Sequence, residues 1–348
     1  MKKLGNTGII LAVLLIIMGA LSACGGGSSG DGNTAPIADA GPDQSVDTGS
    51  LVSLDGGGSS DGDGDALTYS WSFSSRPGSS VSTLWNPTTE SPAFTADVAG
   101  TYVVSLVVED GLDSSPADTV AITATNPAFT ADAYAWAATT GDFVEVDLST
   151  GTLTTVQSYG ITGFMAGADF VDGRYLAVDY SDGTLYEYFL GQARASLGTI
   201  TGYSSTPTGL AYGQTADVLY FSSADGMNSY LYTIDPDDYS ANLVGTVGSP
   251  LIIGIAFDSA GQLYGVDIGS DILVTIDKGT GADASVGSLG IDINYAQDIA
   301  FDRATDTLYG TLYEGSGAGG LYTINTTTGA ASLVGAFDYE VDGFAVLY

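Results

Sequence analysis

The feature that most constrains this chain is a repeat that fills its last two thirds. A pattern of Gly or Asp, apolar, Ala, apolar stands at Gly209-Leu210-Ala211-Tyr212, Gly254-Ile255-Ala256-Phe257, Asp298-Ile299-Ala300-Phe301 and Gly343-Phe344-Ala345-Val346, with a variant at Gly167-Ala168-Asp169-Phe170. Successive starts are 42, 45, 44 and 45 residues apart. Each of the first four is followed by a second β-rich segment, at Tyr175-Leu176-Ala177, Leu219-Tyr220, Leu263-Tyr264 and Leu308-Tyr309. A third such as Leu231 to Asp235 or Leu321 to Asn325 comes next, then a fourth such as Asn242 to Gly245 or Ser332 to Gly335.

Four short strands in about 44 residues, with no competing 3.6-residue period, predict an all-β architecture of radially repeated sheets. Five copies predict a five-bladed β-propeller over residues 127–348. The chain is out of phase with its blades. Tyr134 to Ala137, Phe143 to Asp147 and Leu153 to Gln157 supply strands two to four before any first strand, and Val341 to Leu347 is a first strand with nothing after it. The economical closure sets that C-terminal strand beside Tyr134 to Ala137, which removes two exposed edges.

Composition narrows the chemistry. There is no histidine and only one cysteine, Cys24. Ser-His-Asp and Cys-His hydrolysis and the usual His/Cys zinc sites therefore cannot be assembled. Carboxylate chemistry, oxygen-ligated metals or a tyrosine-based mechanism remain. Seven Lys and Arg against 41 Asp and Glu give a formal net charge of −34. That disfavours nucleic acid, whose binding needs a positive surface.

Residues 1–23 read as a signal segment: Lys2 and Lys3 form a positive start, and Ile9 to Leu21 an apolar run too short to span a bilayer. Leu21-Ser22-Ala23-Cys24 resembles the lipobox of bacterial lipoproteins. The resemblance implies a mature chain beginning at Cys24, which carries covalent lipid as the anchor in a membrane. Plain secretion with cleavage at Ala23 would instead leave one unpaired thiol, which secreted chains seldom keep. Gly25 stands where enterobacteria-like systems place an aspartate for inner-membrane retention, so the resemblance implies a bacterial cell envelope location at the outer membrane. Residues 24–33 form a Gly/Ser tether with no apolar side chain to bury.

Residues 34–126 show short alternating strands, among them Leu67 to Phe73, with Tyr69, Trp71 and Phe73 on one face, and Thr101 to Val108. The segment resembles a PKD-type immunoglobulin-like β-sandwich. The resemblance rests on Ala35-Pro36, Ala40-Gly41-Pro42-Asp43-Gln44, Leu54-Asp55, Ser59 to Asp65, Tyr69-Ser70-Trp71, Pro92-Ala93-Phe94-Thr95, Ala99-Gly100-Thr101-Tyr102 and Val108-Glu109-Asp110-Gly111. Asp61, Asp63 and Asp65 alternate in a loop, and hard oxygen ligands at spacing two suit Ca2+. The plain reading is a solvated turn. Ser72 and Ser74-Ser75 replace the acidic stretch that many relatives carry, which weakens any carried-over calcium site.

The repeating tyrosines, Tyr220, Tyr264 and Tyr309 with Tyr186, Tyr232 and Tyr322, read as blade packing. Asp147, Asp235, Asp277 and Asn325 after the third strands read as turn devices. Two departures from the repeat stand out. Asp169 takes a slot otherwise held by alanine, and Asp298 one otherwise held by glycine. These candidate channel acids read either as acids exposed to water in the central channel or, with no basic residue in their strands, as a paired-carboxylate or cation site. The expected function is a non-catalytic binding module for protein or carbohydrate. The alternatives are a carboxylate-dependent glycoside hydrolase and a passive structural surface component.

Overall fold

A computed structural model describes residues 32–294, 297–315 and 318–348. The signal segment, the lipobox with Cys24 and most of the tether lie outside the described residues. Among the described residues there are 26 strands and no helix.

The N-terminal region holds β1 (Gln44–Asp47), β2 (Leu51–Ser53), β3 (Thr68–Ser75), β4 (Ala93–Thr95), β5 (Gly100–Glu109) and β6 (Asp118–Thr125). One sheet runs β1-β6-β5-β3, and β2 pairs with β4 in a second. Strict alternation along β5 buries Tyr102, Val104, Leu106 and Val108 completely. Trp71 and Phe94 fill the same core, with Tyr69 and Phe73 packed at its margin. The face read from the sequence is thus the core face.

The repeats form five four-stranded antiparallel sheets. Sheet I contains β7 (Ala133–Ala137), β8 (Asp142–Val146) and β9 (Leu153–Ser158). Sheet II contains β10 (Met165–Val171), β11 (Arg174–Asp179), β12 (Thr184–Tyr188) and β13 (Ala195–Thr199). Sheet III has β14 (Thr206–Gly213), β15 (Val218–Ala224), β16 (Ser229–Ile234) and β17 (Ala241–Val247). Sheet IV has β18 (Ile252–Phe257), β19 (Leu263–Asp267), β20 (Ile272–Ile276) and β21 (Asp283–Ser288). Sheet V has β22 (Asp298–Asp302), β23 (Thr307–Gly315), β24 (Ala318–Ile324) and β25 (Ala331–Phe337). The last strand, β26 (Val341–Val346), pairs with β7 and gives sheet I the order β26-β7-β8-β9. Val341 lies opposite Ala137 and Val346 opposite Ala133, the pairing that the phase of the repeat implies.

Neighbouring sheets meet through one recurring contact. The turns after β8, β16, β20 and β24 are pinned by an acid or amide, as where Asp277 Oδ1 accepts the Gly279 N–H at 2.9 Å and Asn325 Oδ1 accepts those of Thr327 and Thr328 at 2.9 Å. Each turn docks on a glycine of the preceding sheet's outer strand. A Cβ on Gly245 would strike the Thr280 carbonyl, one on Gly287 that of Thr328, and one on Gly335 that of Thr150. Sheet III therefore abuts IV, IV abuts V, and V abuts I. Between sheets II and III, Gly198 faces Tyr239 instead. Between I and II the glycine is replaced by Gln157, which accepts the Gly191 N–H at 2.8 Å and donates to the Gln192 carbonyl. Tyrosines pack in the same seams: Tyr220 meets Phe257 at 5.1 Å and Tyr264 meets Phe301 at 5.4 Å between ring centroids.

Candidate functional site

The innermost strands β10, β14, β18, β22 and β26 lie side by side about the centre of the five sheets. Four carry glycine at the start of the repeated motif because the next strand passes too close for a side chain. A Cβ on Gly209 would meet the Ile255 nitrogen at 3.2 Å, and one on Gly254 the Ile299 nitrogen at 3.1 Å. The pairing of these four strands also shifts register at the glycine, and Gly254 and Gly343 take left-handed φ values of 79° and 51°. β22 pairs in register without such a shift, so a side chain fits there, and that residue is Asp298.

Asp298 has no exposed surface. Its Oδ2 accepts the N–H of Ala168 at 2.9 Å and of Phe344 at 3.1 Å, and its Oδ1 accepts that of Ile299 at 2.9 Å. One carboxylate thus ties three inner strands together by satisfying their otherwise orphaned donors. Burial still pushes this carboxyl well above the usual range, the backbone donors offsetting only part of the desolvation.

Asp169 is 8% exposed. It accepts the N–H of Phe170 at 2.8 Å and of Tyr212 at 2.7 Å, and lies 3.7 Å from Arg303. Burial raises its carboxyl to about 6 while Arg303 and the two N–H donors pull the other way. Arg303 donates to the Tyr212 carbonyl at 3.0 Å and stacks 3.7 Å over the ring of Tyr348, whose hydroxyl donates to the Phe170 carbonyl. These groups link β10, β14 and the ends of β22 and β26.

Both candidate channel acids are therefore interior staples, and the expectation of acids exposed to channel water is corrected: the inner strands approach too closely to leave them in water. Arg303 escaped the sequence reading because it stands one residue beyond β22. Its scarcity was a signal, since only Arg76, Arg174, Arg194, Lys278 and Arg303 are basic after Lys3. Asp342 was also missed. It precedes Gly343 where the other repeats have Ala166, Thr208, Ile253 and Gln297, so it too departs from the repeat.

The calcium expectation fits poorly. Asp61 Oδ1 accepts the N–H of Asp63 at 2.8 Å and of Asp65 at 3.1 Å, and Asp63 Oδ2 accepts that of Thr34 at 2.7 Å. One oxygen each of Asp61 and Asp63 is thus engaged by backbone. Asp61 Oδ2 is buried without a donor, but among the described residues no three acidic side chains stand together as a metal-binding set.

An apolar recess opens on the surface where the inner strands begin. Phe164, Met165, Tyr180, Pro207, Leu251 and Ile268 line a bowl of about 320 Å3 built by sheets II, III and IV. Phe164 and Tyr180 are 37% and 41% exposed and meet edge to face at 6.3 Å between centroids. Hydrogen bonds from the Tyr180 N–H to the Phe164 carbonyl and from the Ile268 N–H to the Leu251 carbonyl, at 3.0 and 3.1 Å, hold its rim.

An alternating core with a two-sheet layout, followed by five repeated sheets, defines an all-β chain with an immunoglobulin-like domain and a propeller-like region. Comparison with known proteins supports the first of these, through a family model. Residues 40–124 match a family of PKD domains, and residues 255–345 match a domain of unknown function, DUF4394. A PKD domain from the KIAA 1837 protein is 28% identical, with the match covering 30% of this chain and all of that one at a TM-score of 0.23. A quinonprotein alcohol dehydrogenase-like protein from Bacteroides thetaiotaomicron is 10% identical over 87% of this chain and 96% of its own, at a TM-score of 0.37. A nucleoside hydrolase-related hypothetical protein from Saccharophagus degradans, described as associated with carbohydrate metabolism, is 26% identical over 27% of this chain, at a TM-score of 0.24. The chain spans 26% of that protein's length. No curated protein matches.

Proposed function

We propose that this chain is a bacterial cell-envelope lipoprotein, held at the outer membrane by lipid on Cys24, and that its repeats form a five-bladed propeller closed by β26. In this reading the PKD domain sets the propeller off the membrane, and the propeller is a non-catalytic binding module for protein or carbohydrate. The apolar bowl carries the binding assignment: its volume lies in the range of small-ligand sites, and two aromatic rings are exposed within it. A carboxylate glycosidase would need two acids facing a substrate. Asp169 and Asp298 face backbone N–H groups instead.

The test is a glycan, peptidoglycan and envelope-protein binding screen with residues 32–348, repeated with Phe164→Ala plus Tyr180→Ala. Saturable binding that falls at least tenfold in the double variant supports the reading. Turnover of a glycan, or the absence of any ligand, overturns it.

A further inference from the structure

We propose that Glu340 and Asp342 hold one proton between them, and that this shared proton latches the C-terminal strand so that its seating depends on pH. The side chain of Asp342 is wholly buried. Its Oδ1 accepts the N–H of Met165 from sheet II at 3.2 Å, but its Oδ2 has no donor. Glu340 Oε1 is likewise buried without a donor. The two residues are two apart in extended chain, and the Glu340 carbonyl still accepts the Ala138 N–H at 3.2 Å, so pairing with β7 continues through it. Side chains at that spacing share a face. An ionised carboxylate can only accept, whereas a protonated one also donates. A single proton on Asp342 Oδ2, given to Glu340 Oε1, satisfies both orphaned atoms and removes one of two adjacent negative charges.

Among the described residues the surroundings supply no alternative neutralisation. Sheet II presents Tyr175, whose hydroxyl donates to the Gly343 carbonyl, and Asp179, which is already 3.9 Å from Arg194. β10 adds Asp169, held by Arg303, and β22 adds Asp298, held by backbone donors. In β7, Trp136 lies opposite Asp342. From β23, Glu314 accepts the Tyr322 hydroxyl at 2.6 Å, and Tyr309 lies at the far end of β26 beside Val346 and Leu347. Burial first, then the charges of Glu340, Asp298 and Asp179, push Asp342 well above the usual carboxylate range against the pull of the Met165 N–H. Burial pushes Glu340 up as well.

A carboxyl raised on folding stabilises fully below its unfolded pKa, and that stability is lost as pH rises through the folded value. The strand should therefore sit most firmly in mild acid. The experiment follows the melting of the full chain by calorimetry from pH 5 to pH 9, comparing wild type with Asp342→Asn and with Glu340→Gln. Asparagine donates to Glu340 without titrating, and glutamine accepts from Asp342 without titrating. Each variant should lose roughly 3–6 °C of the wild type's alkaline fall in the repeat-region transition. Should Asp342→Asn fail to fold, Glu340→Gln decides alone. A pH slope in Glu340→Gln equal to that of wild type would overturn the proposal.

Discussion

The PKD domain and the five-sheet region use the same residue, aspartate, in opposite electrostatic regimes. Burial alone would raise Asp97 in the first. Hydrogen bonds from Ser80, Ser82, Tyr102 and the Val81 N–H outweigh it and bring the carboxyl down to about 2. Ser80 Oγ lies 2.6 Å and the Tyr102 hydroxyl 2.8 Å away. At the centre of the repeats, Asp298 gathers three N–H donors and still rises, because it has no contact with water. Donor number therefore does not settle the charge state; depth does. The PKD domain builds one core and trims it with charged turns. The repeat region has thin cores between sheets and uses acids as pins where no apolar side chain would satisfy the backbone.

The contrast breaks most sharply at Asp298→Ala. Three buried N–H groups lose their acceptor, a loss of roughly 3 kcal/mol at about 1 kcal/mol per hydrogen bond. By calorimetry the repeat-region transition should drop by roughly 6–12 °C while the PKD transition stays in place. Equal shifts in both, or none, would show that Asp298 does not join the inner strands.

Arg303→Met should act next most strongly, and in a pH-dependent way. At pH 8 Asp169 beside Arg303 is ionised, and without that partner it must either stay a buried charge or take up a proton, whereas at pH 5, below its value of about 6, it is mostly protonated already. Urea unfolding should show a loss of about 1–3 kcal/mol at pH 8 and a smaller one at pH 5. A loss independent of pH would assign Arg303 a packing role over Tyr348 alone.

Much of this layout was legible in the sequence, and the failures have a common cause. The period gave the sheets, and its phase gave the partner of the last strand, because strand propensity and register are local properties. Tyr69, Trp71 and Phe73 fell on the core face for the same reason. The environment of an acid is not local. Asp61 and Asp97 look alike in a sequence, yet one pins a turn and the other takes donors from Ser80 across a loop. Arg303 reaches Asp169 only once β22 lies near β10, and Gln157 replaces the docking glycine of sheet I by contacts that only the packed sheets reveal.

Asp97→Asn sharpens the same comparison more gently. A carboxyl lowered on folding contributes stability above its unfolded pKa and loses it as pH falls through the folded value. The variant should melt below wild type at pH 7 and together with it near pH 2, following the PKD transition by near-ultraviolet circular dichroism. A gap that persists at pH 2 would assign the effect to lost hydrogen-bond geometry. The smallest effect is expected from calcium. With Asp61 and Asp63 each engaged by backbone, millimolar Ca2+ should leave the PKD melting temperature unchanged, and a rise abolished by Asp63→Asn would restore the cation reading.

The central claim, that the C-terminal strand completes the first sheet, is tested most directly by a covalent link. Ala133 and Val346 are paired across β7 and β26, at a separation that antiparallel strands share with disulfides. In full-length chain carrying Cys24→Ser, Ala133→Cys with Val346→Cys should form an intramolecular disulfide on oxidative folding, seen as a loss of two thiols at unchanged monomer mass. Folded protein with both thiols free, or with the link formed only between two copies, would contradict the account.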